Sequence, residues 1–281
     1  MHTYQIEPEF TTACGTLVDE WPDLELSWHA YAHYKRQYYE TSQAIDARQR
    51  AKDPDYDENN RRSEERFLEL NPQWAGVPVV EFTPAMPRFP EEWQYQDAVH
   101  HVRVIAPDLS MTVRSRFEGT DLIEASKHVV NPRYEWSVSY EEPFALRPTI
   151  QRNRGYPRDD LDAYCYDTHG FEPLALLHPR CFFHGRIPQW DQRTELTVLD
   201  RLAYLLPMVR EIPLTDPRVL GDRYNPCVLD EVERTELIVD VERNVILEWR
   251  AIFDGKVYER HHFTEIAFDE PMDEADFYPT G

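Results

Sequence analysis

At 281 residues, 41% of them hydrophobic and 13% aromatic, the chain can bury a core without metal or disulfide staples. Its net charge of −22, from 52 acidic against 30 basic residues, opposes binding to phosphate backbones and anionic membrane surfaces. Nine glycines, none within five residues of another, exclude the G-x-G-x-x-G fingerprint and the Walker loop, which need glycine for close backbone approach to phosphate.

No apolar run reaches the roughly 18 residues a membrane helix requires. The first nine residues lack the basic start and apolar stretch of a secretory signal, so a cytoplasmic protein is expected. The four cysteines are scattered and form no C-x-x-C pair, which fits reduced thiols.

After a short leader, residues 24–41 alternate: Leu24, Leu26, Trp28, Ala30, Ala32 and Tyr34 share one side, and the pattern predicts a strand. Residues 45–66 are a mixed-charge run with few apolar side chains, expected as a solvated loop. Prolines 72, 78, 84, 87 and 90 rule out a central strand over most of 71–90, expected as an edge-hugging segment or lid. Strands follow at 100–106, 110–118 and 121–126, separated by Pro107-Asp108 and Glu118-Gly119-Thr120, and again at 134–140. Residues 147–160 read as a second polar insertion. Helices are expected at 172–177 and at 194–206, where Leu196, Leu199, Ala203 and Leu206 have core spacing and Pro207 ends the run.

The last fifty residues read as a three-stranded meander. Glu236 to Asp240, Ile246 to Arg250 and His262 to Pro271 are its strand segments, with an Asp254-Gly255 turn and a closing Phe277. This stretch resembles the C-terminal part of the lipoprotein-carrier superfamily (the LolA/LolB-like periplasmic carriers and the sigma-factor regulators sharing their fold). The resemblance rests on Val239-Asp240, Leu247-Glu248-Trp249, Asp254-Gly255, Ile266 to Pro271 and Phe277. Asn244 stands where a turn glycine is usual, and asparagine accepts positive φ.

The resemblance implies a mainly β, α+β fold: one strongly curved antiparallel sheet, a half-barrel, capped by helices. It also implies one domain over 1–281, with polar insertions near 45–66 and 147–160. A concave apolar face that one helix cannot fill would hold a hydrophobic or aromatic small molecule. The alternative is a cofactor-independent enzyme, such as a cyclase, isomerase or rearrangement catalyst of specialised metabolism, as in a violacein-pathway enzyme of similar fold. No catalytic residue belongs to the pattern. A protein partner at the concave face or an edge strand is a third option.

Trp28, Tyr34, Tyr134, Trp136 and Trp249 are the candidate cavity aromatics. Neighbours on a strand face opposite ways, so only one histidine of His100-His101 and one of His261-His262 can enter a cavity; His100 and His262 are the candidates. Arg114 and Arg116, on one side of their strand, could clamp a carboxylate or pair with surface acids. His178, Cys181 and His184 offer three soft donors without a recognised zinc spacing, and no metal or other cofactor is expected.

Overall fold

The computed structural model describes residues 8–70, 97–106, 109–118, 120–140, 149–152, 176–177, 186–210 and 234–278. The expectations for 71–90, for most of 147–160 and 172–177, and for His178, Cys181 and His184 lie outside the described residues. The fold is mainly β, with one open antiparallel sheet and few helices.

Strand β1 (Thr12–Glu20) comes first. Helix α1 (Leu24–Lys52) follows, starting where the Asp23 side chain accepts a hydrogen bond from the Leu26 amide at 2.9 Å. Residues 24–41 are therefore helical, not the expected strand. Leu26 and Ala30, read as two of an alternating row, are also one helical turn apart, and both are buried. The second correction concerns 45–66, which completes α1 and forms most of α2 (Tyr56–Leu70). Its charges fall at helical spacing: Arg61 pairs with Glu58 and Glu65, and Arg62 with Glu58. Across the turn, Arg50 meets Asp57 at 2.8 Å, and the Tyr56 hydroxyl donates to Asp46 at 2.9 Å.

The expected central strands are present as β2 (Ala98–Ile105), β3 (Leu109–Glu118), β4 (Asp121–Val130) and β5 (Tyr134–Ser139). Strand β6 (Thr149–Arg152) pairs with β5 inside the region expected as a polar insertion. A broken edge follows: β7 (Arg186–Pro188), a 3-10 turn at Trp190–Gln192, and β8 (Thr194–Val198). Both strands pair with β9 (Arg201–Arg210).

Residues 194–206 are thus a hairpin and not a helix. Leu199 and Asp200, at φ 52° and 58°, make its two-residue turn, and the leucines have their partners on neighbouring strands. Pro207 sits inside β9 opposite Glu236, and its carbonyl accepts from the Gln189 amide.

The C-terminal meander forms as expected: β10 (Arg234–Asp240), β11 (Ile246–Phe253) and β12 (Lys256–Phe268). Its turns are made by Asp240, Asn244, Asp254 and Gly255. Asp240 accepts hydrogen bonds from the Glu242 and Arg243 amides at 2.8 Å, Asn244 takes φ 54°, and Asp254-Gly255 turn at 51° and 70°. Asp269 accepts from the Thr11 amide and hydroxyl at 2.8 and 2.9 Å, fastening the end of β12 beside β1.

The strand order is β6-β5-β4-β3-β2-β1-β12-β11-β10-β9-β7, with β8 also on β9. Register shifts interrupt the β1–β12, β10–β11, β11–β12 and β3–β4 pairings. Each such bulge raises local twist, which lets so wide a sheet curl instead of lying flat. Gly15 in β1 admits no side chain: an added Cβ would lie 2.6 Å from the Glu265 carbonyl oxygen and 3.0 Å from the Phe263 ring.

Helix α1 lies on one face, where the Ser27 hydroxyl donates to the Tyr258 carbonyl at 2.7 Å and His33 meets the Phe253 ring at 5.5 Å. The sheet changes polarity across its width. From β9 to β2 the α1-bearing face is mostly apolar, with Leu17, Val102, Leu206, Leu237, Trp249 and Phe263 buried around a few polar side chains. Over β3 to β5 it is the opposite face that is apolar: Leu109, Met111 and Val129 are buried there beneath Phe277. Asn131 donates to the Phe277 carbonyl at 2.9 Å, and the Arg103 guanidinium lies 5.6 Å above its ring.

A buried histidine and carboxylate cluster

Three strands that are distant in sequence bring four titratable side chains together on the α1-bearing face. Strand β1 contributes Asp19, which stands in register with His261 of β12. In β2, His100 pairs with Leu17, one pleat from Asp19 on the same face. Glu259 precedes His261 by two residues and shares its side.

Asp19 Oδ1 lies 2.6 Å from His261 Nδ1, and Oδ2 lies 2.6 Å from His100 Nε2. The far nitrogen of His261, Nε2, is 2.8 Å from Glu259 Oε1. All four residues are buried.

The hydrogen bonding fixes the proton positions. Burial alone would push the Asp19 carboxyl up, but its hydrogen bonds to His100 and His261 outweigh that and hold it far below the usual carboxylate range. An ionised Asp19 only accepts, so each imidazole nitrogen facing it carries a proton. Burial would likewise lower His261, yet its bonds to Asp19 and Glu259 raise it to about 9. His261 is therefore an imidazolium donating to carboxylates at both ends. The Trp249 ring lies 5.0 Å from it, and Trp21 stands edge-on at 6.1 Å.

His100 differs. Its Nε2 is committed to Asp19, while its Nδ1 is buried without a hydrogen-bond partner among the described residues. Beside it in register on β3 is Arg114, half-buried, which makes no hydrogen bond or ion pair among the described residues. Thr112, two residues earlier on β3, has a buried hydroxyl that also lacks a described partner. Ser126, in register with Arg114 on β4, extends this polar strip.

The opposite face of β10, β11, β12 and β1 carries a rung of charges in register: Glu236, Arg250, Arg260 and Glu20. Arg250 donates to Glu236 at 2.7 Å, and Arg260 to Glu248 at 2.9 Å and Glu20 at 3.2 Å. His262 belongs here. Burial and the neighbouring Arg260 hold it below its ordinary value.

Of the residues singled out in the sequence, His100, Arg114 and Trp249 share the α1-bearing face. Trp136 is half-buried on the opposite face, against the Phe277 cluster, with Lys127 Nζ 5.4 Å from its ring. His262 lies on the charged face, and its neighbour His261 occupies the cluster. Trp28 and Tyr34 are on α1 and Tyr134 is on β5; the side chains of all three lie outside the described residues.

Asp19 and Glu259 were not read from the sequence, and of the pair His261-His262 it is His261 that joins them. The available signal was the alternation through β1, where Ala13, Leu17 and Asp19 fall on one side. Among the described residues, no group of three or more His, Cys, Asp or Glu side chains is arranged to hold a metal ion. In this cluster the donor atoms are turned on one another. No described helix is long and apolar enough to cross a membrane.

No protein-family model and no curated protein matches the sequence. Solved structures do. An uncharacterized conserved protein of Thermus thermophilus is 12% identical over 66% of this chain and 78% of its own, with a TM-score of 0.36. MucB of Pseudomonas aeruginosa, in a structure of its complex with MucA, is matched at 11% identity over 96% of this chain, with a TM-score of 0.39. That match spans only 56% of the solved chain. An outer membrane lipoprotein-sorting domain of Vibrio parahaemolyticus is 8% identical over 64% of this chain and 81% of its own, at a TM-score of 0.25.

Proposed function

We propose that this protein binds a hydrophobic or aromatic small molecule on the α1-bearing face of its open sheet. One observation supports the reading: on that face, His100 of β2 and Thr112 and Arg114 of β3 stand together with polar groups that have no described partner. His100 Nδ1 and the Thr112 hydroxyl are buried without partners, and Arg114 is unpaired beside them among the described residues. Such groups each cost about 1–3 kcal/mol when left unmet, and an arriving ligand removes that cost. On the same face Ile123 of β4, 39% exposed, offers apolar surface beside them.

A panel of fatty acids and aromatic dyes tests this by thermal unfolding. A ligand at about a hundred times its Kd stabilises by about 2.7 kcal/mol, which for a chain of this size is a rise of about 5–10 °C in Tm. Silence from every member of the panel would sink the proposal.

The Asp19–His100 pair favours a second reading, a cofactor-independent enzyme acting on a bound hydrophobic intermediate. A carboxylate holding one imidazole nitrogen leaves the other poised to take a proton from a substrate, an arrangement that contributes about 10²–10⁴-fold in rate. His100→Gln should then lower turnover of that intermediate by this factor, well beyond the few-fold loss of affinity that one hydrogen bond accounts for. Equal rates for the variant and the parent protein would remove this reading.

A further inference from the structure

We infer that His100, Thr112 and Arg114 form a head-group site for a lipophilic carboxylic acid. The inference deepens the binding role above and rests on it.

The first ground is the guanidinium of Arg114. In a chain with 52 acidic residues, a half-buried arginine without an ion pair among the described residues is conspicuous. Arg250 and Arg260, on the opposite face, are both tied to glutamates. Arg114 is on β3 between His100 of β2 and Ser126 of β4, in register with both, and neither neighbour neutralises it. An unmet guanidinium presents a planar fork of donors that matches a carboxylate.

The second ground is the pair of unmet buried atoms beside it. His100 is 5% exposed and Thr112 7%, so water does not readily satisfy them. Cross-strand neighbours in register have Cβ atoms about 5 Å apart, and same-face residues along a strand repeat at about 7 Å. At their Cβ atoms the three groups are therefore about 5–7 Å apart, which leaves room for one carboxyl group hydrogen-bonded between them. One carboxyl oxygen meets Arg114, and the other lies between the Thr112 hydroxyl and His100 Nδ1. A single proton between imidazole and carboxyl satisfies both, whichever of the two carries it.

Competing head groups fit less well. An alcohol satisfies His100 or Thr112 and leaves the guanidinium unmet. An ammonium is repelled by Arg114. A phosphate brings further negative charge close to Asp19 and Glu259, whose carboxylates are already shared with one imidazolium. For the tail, Ile123 is 39% exposed and stands in register with Arg116 on this same face.

The test is calorimetric titration of the full chain with dodecanoate and with dodecanol, each below its aggregation limit. The parent protein should bind the acid at least about tenfold more tightly than the alcohol, the scale of one charge-assisted hydrogen-bonded pair. Arg114→Gln should bring the acid down to the affinity of the alcohol. Thr112→Val, which removes one neutral donor, should narrow the gap by about threefold. Equal affinities in the parent protein, or a preference that survives Arg114→Gln, would overturn the head-group site while leaving hydrophobic binding standing. Binding of neither probe would overturn both.

Discussion

Asp19→Ala is expected to destabilise the protein by about 3–5 kcal/mol, because it leaves two buried imidazole N–H groups facing a void. One of them belongs to an imidazolium. Asp19 accepts from His261 and His100 at 2.6 Å each, and no other described side chain can take over both bonds. His261 would keep its bond to Glu259 but lose that to Asp19, so its proton affinity should fall as the burial penalty regains ground. Urea unfolding measures the first effect, and an NMR titration of the imidazole C–H signals measures the second. A loss below about 1 kcal/mol would mean that the pair is nearly neutral in net energy, as some buried ion pairs are.

Raising the pH from 6 to 10 should lower stability by about 3 kcal/mol through His261 alone, from a shift of its pKa from about 6.5 to about 9. The sign follows from which state holds the proton more tightly. His261 binds it more tightly when folded, so its contribution is complete below about 6.5 and fades as the pH rises through 9. Asp19 behaves in the opposite sense. Its folded-state value is depressed, so its contribution is complete above the unfolded value and fades as the pH falls toward the folded one. Together they place the plateau of this cluster near pH 5–6. Among the described residues, Asp19 and Glu259 face His261, with His100 beyond Asp19 and His262 next to His261 in the chain. Urea midpoints measured from pH 5 to 10 should trace this decline, and His261→Gln should flatten it. An unchanged midpoint between pH 6 and 9 in the parent protein would show that His261 is not charged in the fold.

The parts of the fold legible in the sequence were those written locally. Asp254-Gly255 demands a tight hairpin, Asn244 tolerates φ 54°, and the alternation in β2 to β5 and β10 to β12 is short and clean. Two elements were misread for definite reasons. The row Leu24, Leu26, Trp28, Ala30 alternates, but the Asp23 cap and the abundance of helix-tolerant side chains decide in favour of α1. The hairpin of β8 and β9 turns on Leu199 and Asp200; aspartate tolerates positive φ but leucine resists it, so at Leu199 tertiary pairing overrides local preference. The candidate site was half legible. His100, Arg114 and Trp249 could be named because they lie in recognisable strands. The partner that organises them, Asp19, acts across 81 residues to His100 and 242 to His261, and no local pattern encodes such distances.

Strand β1 lies between β2 on one side and β12 on the other, so it joins the two halves of the sheet. During synthesis β2 to β5 can zip as neighbouring hairpins, and β8 to β12 can do the same later. The edge of β1 that belongs to β12 must wait until some 240 further residues have been made. Closing so long a loop is slow and contributes a high contact order. Until then the ribosome-bound chain exposes an unpaired strand edge, and a chaperone covering that edge would be the natural safeguard against aggregation.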